Sequence, residues 1–222
     1  MIALEELEQR CEAFVSGRLA SDPAHDVHHI RRVVNNARYL TELSDANFNI
    51  TIPAAWLHDC VQVAKDSPQR GQVSRLAAEE GCRFLAGCGY PVEWLPAVQH
   101  AIEAHSYSAG IAVRSLEAGI VQDADRLDAL GAIGIARCLL TGGALGSAIY
   151  HPDDPFCAQR SADDKAFMVD HFFAKLFKLP ATMQTAAGRS EAQRRADVMR
   201  DYLSELGREL GKGVIRDEER NW

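Results

Sequence analysis

The chain carries the stretch PAAWLHD at residues 53–59, in which an apolar run ends in His58 and Asp59. A histidine and a carboxylate are costly to bury unless they are paired or bind something. A metal ion would use both side chains. His29 lies upstream, in HHIRRV, and Asp125 lies downstream, in DADRLD, so the chain presents a His, His-Asp, Asp series.

Two imidazoles and two carboxylates form a mixed nitrogen and oxygen donor set. Such a set suits Mn²⁺, Fe²⁺, Co²⁺, Ni²⁺ or Zn²⁺ and leaves coordination positions open, which is typical of a catalytic ion. Taken singly, each residue also has a structural explanation: His29 as a solvated helical histidine, Asp59 as a surface carboxylate and Asp125 as an i,i+4 partner. The residues alone leave both explanations open.

Length and composition predict one large domain that buries a substantial core, with 222 residues of which 47% are hydrophobic and 25% charged. No apolar stretch approaches the roughly 18 residues that span a bilayer, and the N-terminus lacks the pattern of a signal peptide. We therefore expect a cytoplasmic protein that does not enter a membrane. The six cysteines form no Cys-x-x-Cys pair, which argues against a zinc ribbon.

The formal net charge of −7 argues against a nucleic-acid polymer as the partner, because such a surface needs clustered lysine and arginine. A small anionic substrate remains compatible with this charge, since a metal ion and a few local cations can hold it. The sequence does not indicate an oligomeric state.

Helical periodicity dominates the chain and predicts an all-α fold. Thr51 as a cap, with Pro53 in the first turn, predicts a helix that carries His58 and Asp59 near its middle. The stretch 142–162 lacks periodicity and is either a lid or a surface excursion. We expect helices over residues 4–19, 25–43, 52–63, 72–86, 91–105, 112–130, 133–140, 163–178 and 182–210.

Three separated segments, HIRRV at 29–33, LHD at 57–59 and DADRLD at 123–128, resemble the HD-domain metal-dependent phosphohydrolase superfamily. Further segments, AHD at 24–26, IEAHS at 102–106 and HFFAKL at 171–176, resemble its small bacterial stand-alone branch, which includes nucleoside triphosphate pyrophosphohydrolases. The resemblance covers roughly residues 20 to 205. It implies a single HD-domain helical bundle, with a core at about 20–140 and additional C-terminal helices at about 160–210 packed on it.

Carried over by position, the resemblance implies that one divalent metal ion is bound by His29, His58, Asp59 and Asp125. Family analogy favours manganese, with Mg, Co, Ni, Fe or Zn as alternatives. An ion of this kind makes water nucleophilic near neutral pH and polarises a phosphoryl oxygen. Asp59 or Asp125 is also expected to orient the attacking water.

The chain departs from two related branches. Gly89-Tyr90-Pro91 spells the tripeptide of the HD-GYP cyclic-dinucleotide phosphodiesterases, but the flanking residues of that family are missing, and a turn between two helices is the better explanation. Gln62 stands where helical HD 5'-nucleotidases carry a glutamate, and an amide cannot act as a general acid. Glu79 and Glu80 are the remaining carboxylates nearby, and a solvated helix face is the simpler explanation for both.

Phosphoryl transfer also needs cations near the substrate. Arg126 can contact phosphate or form a structural pair, and His171 and Lys175 share a helix face because they are spaced i,i+4, so they can reach a polyphosphate or form a surface pair. The candidate substrate contacts are Lys65, His105, Arg126, His171 and Lys175.

The predicted activity is hydrolysis of a small phosphorylated substrate, a nucleoside triphosphate cleaved between its α and β phosphorus atoms. Two alternatives stay open at this point. One is a phosphomonoesterase acting on 5'-nucleotides or other small phosphate esters, and the other is a non-catalytic HD module that senses nucleotides.

Overall fold

A computed structural model describes residues 2–18, 26–63, 70–106 and 109–212. These residues contain no strand, only an isolated β-bridge between Ala148 and Phe167, so the predicted all-α class is confirmed. Their α-helices are α1 (Leu4–Ser16), α2 (Val27–Glu42), α3 (Phe48–Leu57), α4 (Val73–Gly87), α5 (Leu95–His105), α6 (Leu116–Leu127), α7 (Gly131–Leu145), α8 (Asp170–Ala174) and α9 (Ala186–Glu209).

The chain divides into two compact units. Unit 1 comprises Met1–Asp125 with Gln184–Gly188, and unit 2 comprises Arg126–Met183 with Arg189–Trp222. Within unit 1, α2 packs on α3, and α5 packs on both α3 and α4. Each large apolar side chain in this core contributes about 1.5–3 kcal/mol by its burial. The fully buried ones include Ile30, Leu40, Ile52, Leu57, Leu85 and Ile102. The one-domain organisation stays a prediction.

α2 begins at a side-chain cap. Asp26 is its N-cap residue, and its Oδ1 accepts a hydrogen bond from the backbone N–H of His29 at 2.9 Å. This bond satisfies one of the free donors of the first turn. His29 is thereby placed in that first turn, with its side chain buried.

α3 differs from the prediction, which started it at Ile52 and continued it to Val63. It begins four residues earlier because Asn47, rather than Thr51, caps it: Asn47 Oδ1 accepts from the backbone N–H of Asn49 at 2.9 Å. Pro53 therefore lies inside the helix, where it has no N–H to donate to the Asn49 carbonyl. The Asn49 carbonyl instead accepts a hydrogen bond from the Tyr90 hydroxyl, at 2.6 Å.

Tyr90 belongs to the Gly89-Tyr90-Pro91 tripeptide, and the predicted turn there is confirmed. Gly89 has a φ of +74°, a left-handed conformation that glycine adopts readily, and it follows directly on the end of α4. The Tyr90 ring is 4% exposed and its hydroxyl completes the hydrogen bonding of α3. This tripeptide has a structural role in unit 1.

Unit 2 is less helical than predicted. The helix expected over 163–178 reduces to α8 and a 3₁₀ turn over Leu176–Lys178, because the preceding residues fold around the buried Asp170. The Asp170 carboxylate accepts hydrogen bonds from both terminal nitrogens of Arg160 and from the backbone N–H of Asp163. A helix through residue 163 would break that network.

α7 spans Gly131–Leu145, which is longer than the helix predicted over 133–140, and glycines lie at both of its ends. Gly146 has a φ of +75° and ends the helix after Leu145. Gly134 packs directly against the chain that precedes α7, since an added Cβ would lie 2.3 Å from the Ala129 carbonyl oxygen. The close helix packing expected for GAIG at 131–134 occurs at Gly131, where an added Cβ would lie 3.3 Å from Arg195 Cβ of α9.

α9 carries a buried carboxylate, Glu191, which is 9% exposed. Arg194 and Arg195 both donate to it, at 2.7–2.8 Å. These hydrogen bonds lower the pKa of Glu191 to about 2.

Among the described residues, no single helix combines the length and apolarity needed to cross a bilayer, and only α6 and α7 taken together as a bent pair reach that length and composition.

Candidate metal centre

Four helix ends in unit 1 bring the candidate ligands together. His29 lies in the first turn of α2, His58 is the C-cap residue of α3, His105 ends α5, and Asp125 lies in the last turn of α6. Three of these are C-terminal ends, whose free carbonyls carry partial negative charge and favour a cation. Asp59 follows His58 in the turn beyond α3 and supplies the remaining carboxylate.

Each of the two histidines predicted as ligands lies within 4.0 Å of both predicted carboxylates. His29 Nε2 is 3.6 Å from Asp125 Oδ1 and 4.0 Å from Asp59 Oδ2, and His58 Nε2 is 3.9 Å and 3.7 Å from the same two atoms. Ligands at about 2.1 Å from an ion are about 3.0–3.4 Å apart in adjacent positions and about 4.2 Å apart across it. The nitrogen–oxygen distances in this cluster, 3.6–4.0 Å, lie between these two values.

The buried imidazole of His58 carries the clearest sign of a ligand. Its Nδ1 lies 2.7 Å from the Ala55 carbonyl oxygen, and since a carbonyl only accepts, the ring proton is on Nδ1. Nε2 then presents a lone pair, is buried, and has no hydrogen-bond partner in the described part of the chain. Burial lowers the pKa of His58 and keeps the ring neutral, which is the form that binds metal. The residues present therefore fit a divalent cation.

His105 joins this cluster, although the sequence suggested it only as a phosphate contact. Its Nδ1 lies 2.6 Å from the Ile102 carbonyl oxygen, and its Nε2 lies 3.5 Å from Asp59 Oδ1. Burial acts to lower the pKa of His105, but the hydrogen bond and negative charge of Asp59 outweigh it, so the pKa is raised. The two oxygens of Asp59 thus face different histidines, Oδ2 toward His29 and His58 and Oδ1 toward His105.

Two overlapping trios could each hold an ion, one formed by His29, His58 and Asp125 and the other by His58, Asp59 and His105. Burial acts to raise the pKa of Asp59, but the three histidines hold it well below its ordinary value. The carboxylate is therefore ionised and available to a cation. The signal for His105 in the sequence is its place at the end of the helix predicted over 91–105.

Two buried amide side chains hold the backbone beside the candidate ligands. Asn36 Nδ2 donates to the Ala124 carbonyl at 3.0 Å, one residue before Asp125, and Gln122 Nε2 donates to the Ala104 carbonyl at 2.6 Å, one residue before His105. Both amides position ligand-bearing helix ends. No sequence motif pointed to either residue.

Asp123, within the DADRLD motif, is structural. Its carboxylate accepts the backbone N–H groups of Gln184 and Thr185 and the Thr185 hydroxyl, all at 2.7–2.8 Å. Gly188 packs against it, since an added Cβ would lie 2.3 Å from Asp123 Oδ2. The second aspartate of the motif, Asp125, is the one that reaches the histidines.

The other predicted substrate contacts lie elsewhere. Lys65 is outside the described residues. Arg126 donates to the Thr182 carbonyl at 2.5 Å in unit 2, which agrees with the structural pairing considered for it. His171 and Lys175 also belong to unit 2, where His171 Nδ1 lies 2.9 Å from Asp164 Oδ2. Their contact with phosphate stays a prediction.

The two glutamates of α4 that the sequence offered as nearby carboxylates are exposed or paired with arginines. Glu79 is exposed, and Glu80 pairs with Arg18 at 3.1 Å and with Arg83. Gln62 is exposed. These observations agree with the solvated helix face expected for both glutamates.

Comparison with known proteins identifies relatives along nearly the whole chain. The HD domain family profile matches residues 26–130. YpgQ of Bacillus subtilis (strain 168) is 31% identical over 93% of this chain and 96% of its own. The crystal structure of Bacillus subtilis YpgQ in complex with ADP has a TM-score of 0.72 and 32% identity, and it covers 92% of this chain and 95% of that one. The crystal structure of an HD-superfamily hydrolase from Bacillus thuringiensis has a TM-score of 0.73 and 33% identity. It covers 93% of this chain and 98% of that one.

Proposed function

Because the chain belongs to the HD-domain superfamily of hydrolases, we propose that it is a metal-dependent phosphohydrolase that acts on nucleotides. The observation that carries this proposal is the unpartnered, buried Nε2 of His58 in the midst of imidazole and carboxylate groups. A buried nitrogen lone pair without a partner is costly, and a divalent cation would satisfy it.

The proposed ligands are His29, His58, Asp59 and Asp125, with manganese as the favoured metal. When bound, the cation supplies Lewis acidity, which makes water acidic enough to attack near neutral pH and draws charge from a phosphoryl oxygen. His58 and His105 each place their Nδ1 proton on a backbone carbonyl, which leaves both Nε2 atoms directed at the cluster. The site is therefore preorganised by backbone contacts before any substrate arrives.

The residues of the chain have separate roles in the proposed reaction. Asp59 or Asp125, both partly exposed beside buried histidines, orients the attacking water. His105 contacts a phosphoryl oxygen. Lys65, Arg126, His171 and Lys175 stay proposed contacts to the phosphates of the substrate.

We propose a nucleoside triphosphate as the substrate. The ADP complex of the relative YpgQ supports a nucleotide ligand, and Gln62 in place of a glutamate disfavours monoester cleavage. Water attacks the α-phosphorus, the bond from this phosphorus to the α,β-bridging oxygen breaks, and pyrophosphate leaves with a nucleoside monophosphate as the other product. We place this activity in the cytoplasm.

The test is a panel of nucleoside triphosphates, diphosphates and monophosphates with Mn²⁺, Co²⁺ or Mg²⁺, with products identified by phosphorus NMR. We expect pyrophosphate from triphosphates, and loss of turnover by at least about a thousandfold in His58→Ala and Asp59→Ala with folding retained. His28→Ala is the matched control, because His28 is exposed beside His29. Released orthophosphate would indicate a phosphomonoesterase instead, and binding without turnover would indicate a sensing module.

A further inference from the structure

One side of α7 is apolar although it lies at the surface of unit 2. The helix has a single charged side chain, Arg137, which donates to the buried Asp128 carboxylate at 2.7 Å. A surface helix normally presents polar residues to water, and a helix that is apolar on every side is normally covered. The outer face of α7 comprises Ala132, Ile133, Ala136, Leu139, Leu140, Gly143 and Ala144, of which Ile133 and Leu139 are half-buried and the others exposed.

The spacing of these residues places them on one side of the helix. Positions 132, 136, 140 and 143 follow one another at intervals of about one turn. The opposite side is packed, since an added Cβ would lie 3.3 Å from Arg195 of α9 at Gly131 and 2.4 Å from Met168 at Gly142. Within this fully described helix the outer face contains no polar side chain. The helix is therefore partnered on one side only.

The shape of the outer face is complementary to itself. Leu140 projects from its centre and is 55% exposed, whereas Ala136 and Gly143, one turn away on either side, are small. An added Cβ at Gly143 would meet no atom within 4 Å, so the space beside this residue is open. In an antiparallel pair of such helices about a two-fold axis, each Leu140 lies over a hollow of the other helix.

Charge favours a second copy of the chain over a lipid surface. Each chain carries a net charge of −7, but the outer face is uncharged, so two copies can meet there without opposing like charges. Helices that lie on membranes combine an apolar face with lysines and arginines that attract anionic lipids. α7 offers only Arg137, which is paired with Asp128.

The size of the face sets the strength of the contact. From Ala132 to Ala144 it is about 18 Å long and about 10 Å wide, which gives a footprint of roughly 200 Å². A standard stable interface buries about 800 Å² on each partner. Leu145 and Ile149, 73% and 51% exposed, extend the apolar surface beyond the end of the helix. An interface of this size suits a weak, reversible dimer of chains that fold independently.

We propose that the outer face of α7 binds the same face of a second copy of this chain across a two-fold axis. Leu140 is the central contact, and it packs against Ala136 or Gly143 of the other copy. The proposal does not rest on the proposed hydrolysis, because all these residues belong to unit 2.

The test is sedimentation equilibrium of the full chain in EDTA, from about 1 µM to about 1 mM. We expect the mass to rise from one chain toward two, with a Kd between about 10 µM and 1 mM. Leu140→Asp should raise this Kd at least about tenfold, because the two-fold axis brings two carboxylates together in an apolar contact. The matched control is Leu43→Asp, the same change at a leucine of α2 that is 58% exposed, which should keep the wild-type Kd.

Two further measurements locate the contact. Ala136→Trp fills the hollow beside Leu140 and should also raise the Kd at least about tenfold, with the helical circular dichroism unchanged because Ala136 is exposed. A mixture of Leu140→Asp and Leu140→Lys should form a dimer at concentrations where neither variant does so alone. Only a symmetric contact places the two substituted side chains near each other.

The competing results are distinct. A single-chain mass up to about 1 mM overturns the proposal. A dimer that Leu140→Asp leaves intact, or that Leu43→Asp weakens equally, places the contact on another surface and also overturns it. If the mixed charge variants stay monomeric, the contact is not symmetric and the proposal fails. A monomer that floats with phosphatidylglycerol vesicles, and loses them in Leu140→Asp, would assign the face to a membrane instead.

Discussion

Metal binding should stabilise the fold through His58, and the size of the effect can be worked out. A cation that binds only the folded state, at a concentration 100 times its Kd, adds about 2.7 kcal/mol to the free energy of unfolding. For a chain of this length each kcal/mol raises Tm by about 2–4 °C, so Mn²⁺ should raise Tm by roughly 5–10 °C over the protein in EDTA. Differential scanning calorimetry measures this shift directly and needs no substrate.

His58→Ala removes the fully buried nitrogen of a proposed ligand and should weaken the metal affinity by at least about a hundredfold. At the same metal concentration the stabilisation then falls to about 0.4 kcal/mol, or about 1–2 °C in Tm. His28→Ala, which changes an exposed neighbour of His29, should keep the full shift. If wild type and His58→Ala show equal Mn²⁺-dependent shifts, the ion binds elsewhere and the reasoning fails.

Three further substitutions test the packing around the site. Tyr90→Phe should cost about 1–2 kcal/mol in urea unfolding, because the Asn49 carbonyl that accepts its hydroxyl has no helical donor; an unchanged midpoint would refute this role. Gly188→Ala should cost at least about 2 kcal/mol, since the added Cβ meets the Asp123 carboxylate at 2.3 Å, and wild-type stability would show that the contact relaxes freely. Glu191→Gln tests linkage: the folded pKa of about 2 lies below the ordinary value, so the carboxylate stabilises the fold fully above about pH 5 and loses this effect as pH falls toward 2. The variant should therefore be less stable by about 1 kcal/mol near neutral pH, with a difference that shrinks on acidification, and a difference that grows on acidification would contradict this sign.

The candidate ligands were predicted from short motifs that resemble the HD-domain superfamily. His58 and Asp59 end an apolar run, and burial of such groups calls for a partner wherever the chain folds. The helical class was predictable for a similar reason, since periodicity depends on near neighbours along the chain. The structure brings His29, Asp59 and Asp125 close to His58.

The course of α3 was not predictable. Thr51 and Pro53 form a reasonable helix start, but Asn47 caps the helix instead, because Tyr90, far along the chain, satisfies the carbonyl that Pro53 leaves free. The helix also ends at Leu57 and not at the predicted Val63, so His58 lies at its end and not near its middle. There its Nδ1 can reach the Ala55 carbonyl and its Nε2 can face the cluster.

The sequence by itself determined the helical class and the residue types that can hold a cation, because both depend on the chemistry and spacing of nearby residues. Only the tertiary structure decided that His105 faces Asp59 and that Asn36 holds the backbone beside Asp125. Each of these relations joins residues from different elements. Their distances follow from how the elements pack, which no local pattern specifies.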